Sequence, residues 1–290
     1  MIKNKLAILF ASGAMLLAGQ ANAFVFNFGP SAGSVNFTEI DWASNGSAWV
    51  NGFAGGIDPT TGAVLGVGST FDLFYISKAA ALNDGNNTTA TLAFNNIFSA
   101  TGSTVGELTI FASIKETITK ISVNSSGQIV ADFSVVAGTW NVFYDKTPDA
   151  DLVSGLNFSD GIAVLGGTFN AGVTGSFTNI IGAPGVLGAN GTGSNFLDGK
   201  VTSVDSAYVL PSPEDTNAST TLQYGTSAQG WVRPTAFNGL GGYGPTDTLS
   251  SFVLKADANQ NFTKVPEPTS MALVGLGLVG LSALRRRIAK

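Results

Sequence analysis

The sequence predicts an all-β protein whose middle is one large β-sandwich or jelly-roll-like domain. Two observations lead there. Apolar and polar residues alternate in many short runs, and Gly, Asn, Asp, Ser and Pro separate those runs at short intervals. A third is negative: no window through the middle of the chain sustains a helical period.

In chain order, candidate strands occupy 34–40, 63–67, 71–77 and 89–94, most of them rich in Val, Ile, Phe and Thr. The clearest is a period-two run in which Leu108, Ile110, Ala112 and Ile114 share one face and the alternation continues past Glu116 and Ile118. Asn124, Ser125, Ser126 and Gly127 supply a turn, after which Ile129, Ala131, Phe133 and Val135 alternate again, predicting a β-hairpin. Trp140, Val142 and Tyr144 extend it beyond Gly138, and 145–151, with Pro148, closes it with loop chemistry. Further strands are expected at 162–169, 175–181, 201–209, 220–224 and 249–255. The one competing signal is 76–82, where Lys78 and three alanines predict a helical turn or two. The Gly-, Asn- and Ala-rich stretch 180–200 reads as a long surface loop, since Gly-rich strands specify register poorly. About 240 residues without a Pro-rich linker fit one domain, and the lack of a visible repeat puts a β-solenoid second.

Composition narrows the chemistry. Among 290 residues there are no Cys and no His, and 11% are charged. That removes disulfides, thiolate nucleophiles, Cys-ligated zinc and the imidazole base of hydrolytic triads. The 44% apolar content is enough for a packed core.

The two ends carry addresses. Lys3 and Lys5 precede an apolar run over 6–17, and the small-x-small triplet Ala21, Asn22, Ala23 follows; this is the order of a secretory signal peptide, cut after Ala23. At the other end Val265, Pro266, Glu267, Pro268 and Thr269 lead into an apolar segment over 271–284, closed by Arg285, Arg286 and Arg287. Fourteen helical residues reach about 21 Å, short of the ~30 Å hydrocarbon core, so flanking residues over 270–288 and snorkelling arginines must complete the span. Those arginines stay cytoplasmic, which leaves 24–264 outside.

The stretch VPEPTSMALVGLGLVGLSALRRRIAK resembles a PEP-CTERM sorting signal, with the Pro-Glu-Pro motif, short membrane helix and Arg cluster in that order. The resemblance implies export by the secretion machinery, transient anchoring in the inner membrane and recognition of Pro266, Glu267 and Pro268 by an exosortase-type enzyme. It further implies removal of the tail and delivery to the surface or extracellular matrix of a Gram-negative bacterium that makes exopolysaccharide. Three inner stretches, FVFNFGPSAG, WNVFYDKTPDADLVSGLNFSDG and FVLKADANQNF, are similar to flocculation-associated PEP-CTERM proteins. That similarity implies a matrix protein that aggregates cells with exopolysaccharide, and it brings no catalytic residues.

Without its ends the chain loses six basic residues and one acidic residue, which leaves the middle near −10. Such a surface repels nucleic acid and leaves polysaccharide as the expected partner. Local motifs add little. Gly29 to Gly33 match G-x-S-x-G, but a nucleophile elbow needs a strand-to-helix turn and a base. Gly239, Gly241 and Gly244 match G-x-G-x-x-G but meet Pro245 at once, and Gly275, Gly277 and Gly280 repeat the spacing inside the membrane segment. Asp145, Asp149, Asp151 and Asp160 offer oxygen ligands for calcium, as does the partial loop of Asp257, Asn259 and Asn261; solvated turn acids explain both, and no metal or cofactor is predicted. Glu39, Asp41, Glu107 and Glu116 are the carboxylates from which a polysaccharide hydrolase would draw a catalytic pair. The four tryptophans, Trp42, Trp49, Trp140 and Trp231, are scattered rather than gathered as in a carbohydrate groove; Trp231 or Tyr243 could stack on sugar rings, but core filling is the expected role. The sequons at Asn86 and Asn190 reflect composition. The expected function is a non-catalytic matrix protein, with a carboxylate hydrolase and a small-ligand module as alternatives.

Overall fold

Alternating apolar residues build fifteen strands among the described residues: β1 (Phe24–Asn27), β2 (Ser34–Phe37), β3 (Glu39–Asn51), β4 (Gly56–Ile57), β5 (Val64–Leu65), β6 (Thr70–Asn83), β7 (Leu92–Ala93), β8 (Glu107–Val123), β9 (Ile129–Asp145), β10 (Ile162–Phe169), β11 (Thr174–Asn179), β12 (Gly191–Val204), β13 (Val209–Leu210), β14 (Asn217–Gly225) and β15 (Ser251–Thr263). The computed structural model describes residues 23–29, 33–58, 60–84, 92–93, 106–179, 191–225, 234–235 and 251–263. The strands fall within the unit Ala23–Thr263.

The chain is all-β, and its main sheet closes on itself. β3, β6, β8 and β9 pair in chain order, all antiparallel. β9 then pairs with both β10 and β11, which lie end to end along it and both pair onward to β12. β12 pairs with β14, β14 with β15, and β15 returns to β3. The result is an eight-stave up-and-down barrel in which the interrupted β10–β11 fills one stave. Within the all-β class the sequence favoured a sandwich; the difference lies in one pairing, β15 with β3, which removes both edges. Eight staves leave a lumen about wide enough for side chains to fill. Trp42, Trp140, Val142, Ile114, Leu73, Leu254 and Phe262 form part of one continuous buried cluster there.

Packing in the lumen is close. A Cβ on Gly167 would collide with the carbonyl of Lys200 and the indole of Trp140, so only glycine lets that ring lie flat against β10. β1, β2 and β13 form a small separate sheet whose phenylalanines pack on the barrel: Phe26 lies 5.5 Å from Tyr144 and Phe37 lies 5.9 Å from Phe262, both edge-on. On the outside, Trp49, Phe74, Ile76, Phe111 and Val253 make an apolar patch that Ala150, Leu152 and Phe158 of the 146–161 segment cover.

Three local expectations are corrected. The stretch 76–82 is not helical but the end of β6, because it pairs with β3 on one side and, on the other, with β8 as far as Lys78 and with β7 at Ala81 and Leu82, and this tertiary pairing overrides the helix propensity of its alanines. Much of 180–200 is strand: β12 starts at Gly191, and its glycines fit where neighbouring strands crowd it, as where a Cβ on Gly193 would meet the ring of Tyr224. The expected strand 201–209 is divided by a turn at 205–208 into the end of β12 and the start of β13.

Candidate functional site

Three places in the described structure concentrate chemistry: the lumen around Glu116, the outer face around Glu107, and the polar face of β11, β12, β14 and β15.

Glu116 continues the inward phase of Ile110, Ala112 and Ile114 on β8, and the register with β9 slips beside it, pairing Lys115 with Ala137 but Glu116 with Val135. The in-phase position carries the carboxyl into the core, where Glu116 is 0% exposed. Asn195 of β12 donates from Nδ2 to its Oε1 at 2.7 Å. Glycine at 175 permits this, since a Cβ there would collide with Asn195 Oδ1 and the ring of Phe133. Oε2 of Glu116 and the hydroxyl of Tyr224 have no hydrogen-bond partner among the described residues. Burial pushes the Glu116 carboxyl up to about 8, against the smaller opposing effect of the Asn195 bond. Tyr224 is likewise raised, by burial first and the neighbouring Glu116 second. Both line a cavity of about 20 Å³ together with Phe53, Phe71, Phe133, Phe177 and Phe252.

At the start of the same strand, Glu107 is buried on the outside. Its Oε1 accepts backbone N–H bonds from Asp149 at 2.9 Å and Ala150 at 2.8 Å, and its Oε2 lies 3.1 Å from Lys78 Nζ. Thr109 Oγ1 donates to the carbonyl of Phe158 at 2.8 Å. These contacts pin the 146–161 segment to the apolar patch.

The third place is polar and open. Ser176, Ser194, Gln223 and Asp257 stand in one cross-strand row, and Thr178, Thr192, Gly225 and Lys255 in the next. Phe196, Thr221 and Asn259 make a further row, with the Phe196 side chain 57% exposed. The first two rows line an open groove of about 550 Å³. Hydroxyls and amides about 4.8 Å apart between strands form a ladder of donors and acceptors.

The remaining sequence candidates divide as follows. Asp145, Asp149 and Asp160 do converge, with carboxylate oxygens within 4.8 Å of one another, while Asp151 instead accepts a 2.8 Å bond from Val153 N–H. Asp257, Asn259 and Asn261 alternate along extended β15 and so do not wrap an ion as a calcium loop does. The four hydrolase candidates are not gathered in one place: Glu116 faces the lumen, Glu107 is bound to Lys78 and the 146–161 segment, and Glu39 and Asp41 lie two apart on β3. Asp41 is raised by burial first, then by Asp257 and Glu39. Gly29 and Gly33 close the turn between β1 and β2, a strand-to-strand connection and not an elbow. Ala23 directly precedes β1. Ala21, Pro266, Glu267, Pro268, Arg285, Arg286, Arg287, Trp231, Tyr243, the two other glycine motifs and both sequons lie outside the described residues. Glu116's environment was missed, although the signal was present: a charged residue in phase with four apolar ones on a strand.

The barrel carries apolar side chains inside and a broad polar face outside, the reverse of a membrane barrel. The class this defines is an exported, water-facing β-barrel domain followed by a sorting tail. The family model for the PEP-CTERM protein-sorting motif matches residues 264–287, so the chain carries a PEP-CTERM sorting motif at that end, which implies export, transient membrane anchoring and processing by an exosortase. No curated protein and no solved structure matches the chain.

Proposed function

We propose that the processed protein is a non-catalytic component of the extracellular matrix of a Gram-negative bacterium, where it promotes exopolysaccharide-associated aggregation into flocs or biofilm. The observation that carries this reading is the sorting motif at 264–287, which implies export and processing by an exosortase. The open face supports a glycan partner. Its two groove rows present five uncharged polar side chains beside one Lys and one Asp, in a domain whose charge is otherwise strongly negative. Hydroxyl- and amide-rich ladders match the many weak hydrogen bonds that sugar hydroxyls make, and exposed Phe196 adds an apolar surface for a ring.

The test is intact-mass measurement of the protein recovered from the matrix, paired with the settling of a deletion strain. A mature C-terminus near Pro266 and loss of flocs on deletion are expected. A full-length, membrane-held protein with unchanged settling overturns the reading. Shortening of exopolysaccharide by the recovered protein would instead favour the hydrolase.

A further inference from the structure

The groove on the polar face contains a glycine that packing does not require. On β11 and β12, Gly175, Gly191, Gly193 and Gly199 stand where a Cβ would collide, respectively, with the Asn195 amide, the Phe177 ring, the Tyr224 ring and the Thr168 carbonyl. Gly225, at the end of β14, is different. Of the described residues beyond its chain neighbours, a Cβ there would meet the Gly191 carbonyl at 3.4 Å and Thr192 Cγ2 at 3.5 Å, both ordinary contacts. It follows inward-facing, buried Tyr224, so its missing side chain belongs on the outer face, in register between Thr192 of β12 and Lys255 of β15. A threonine there would continue the row of Thr178 and Thr192 and add a favourable cross-strand pair. A strand glycine with room for a side chain weakens the sheet, and what it gains in exchange is close approach of a ligand to the backbone.

We propose, resting on the glycan reading of this face, that the notch over Gly225 is the primary subsite of the groove and seats one uncharged sugar ring that bears adjacent hydroxyls. From Thr192 to Lys255 the notch spans two strand spacings, about 10 Å, and Ser194, Gln223 and Asp257 lie two residues further along their strands, about 7 Å away. These groups supply both halves of what a hydroxyl needs. The Lys255 ammonium donates, an ionised Asp257 accepts, and Gln223 and the hydroxyls do both. Lys255 forms no salt bridge among the described residues, so its donors are open to a guest. An acidic sugar would bring its carboxylate beside Asp257 in a domain that is already strongly negative. An apolar guest would desolvate the hydroxyls and amides without giving them partners. A peptide added as a strand finds no edge here, because β11, β12, β14 and β15 are each paired on both sides.

The experiment is co-sedimentation of the exported protein, isolated from cells, with the exopolysaccharide of the same cells in three forms: untreated, carboxyl-reduced, and oxidised with periodate, which opens rings bearing adjacent free hydroxyls. Saturable binding to the untreated polymer is expected, unchanged by carboxyl reduction and lost on periodate oxidation. Gly225→Thr, which fills the notch, should raise the Kd at least about tenfold while its urea midpoint stays at or above that of the parent. Undiminished binding in that variant overturns the subsite and leaves the glycan reading standing, whereas no binding of the parent protein to untreated polymer overturns both. A lower urea midpoint in Gly225→Thr would mean that packing does require the glycine, which overturns the inference from it. Binding that survives periodate, or is lost on carboxyl reduction, overturns the sugar class.

Discussion

β8 carries two buried glutamates, one at its start and one near its middle, and the two are treated in opposite ways. Glu107 is 3% exposed and nearly saturated: two backbone N–H donors on one oxygen and an ammonium on the other. Glu116 is 0% exposed, accepts one amide bond and is otherwise surrounded by rings. The first is a structural clamp, because its charge is satisfied by the segment it holds. The second is a liability to the fold at neutral pH. Equal burial thus says little about a carboxylate; the donors aimed at it decide its role.

Several substitutions sharpen that contrast. The largest effect belongs to Glu116→Gln. The folded carboxyl titrates near 8 and the free one near 4.5, so both states are neutral below 4.5 and the substitution changes little there. Between those values the unfolded chain ionises while the folded chain keeps its proton, and the native protein loses up to about 1.36 kcal/mol per pH unit. The Gln variant escapes that loss, with an advantage of at most about 5 kcal/mol above pH 8. Urea unfolding at pH 4 and pH 8.5 measures it. A gain that is the same at both pH values would break the comparison.

Next comes Phe158→Ala, which removes the main side chain that Glu107's segment lays on Trp49 and Ile76; a loss of about 3–4 kcal/mol is expected from urea midpoints. Glu107→Gln keeps the shape but loses the charge, weakening two N–H bonds and the contact with Lys78. About 1–3 kcal/mol should go, and protease cleavage within 146–161 should speed up while the barrel stays folded. Faster cleavage in Glu116→Gln as well would mean that the start and the middle of β8 are not independent. The smallest effect on stability is at the open face. Phe196→Ala and Gln223→Ala should each stay within about 0.5 kcal/mol of the parent yet reduce retention on the cell's own exopolysaccharide in a co-sedimentation assay.

Legibility followed local chemistry. The hairpin of β8 and β9 was readable because alternation and a four-residue turn are encoded side by side, and Asn124 indeed closes that turn through Ser126 and Gln128. β12 was not, because Gly191, Gly193 and Gly199 carry no side chain to reveal a phase; they suit a strand only because rings and carbonyls of neighbouring strands come close. The alanines of β6 misled for a related reason, since their helix propensity is small beside pairing with β3 and, at Ala81, with β7. The Asp145, Asp149 and Asp160 cluster was legible as proximity in sequence, whereas the group of aromatic rings beside Glu116 was not, since its six members span residues 53 to 252.

By itself the sequence determined the β class, the exported address and the absence of thiol and imidazole chemistry, because each rests on composition or on short contiguous signals. Only the tertiary structure decided that the sheet closes, that Glu116 is enclosed by aromatic rings while Glu107 is held by donors, and that polar cross-strand rows gather along one groove. Those outcomes depend on pairing β3 with β15 across some two hundred residues, and the energy of such a contact is carried by neither segment alone.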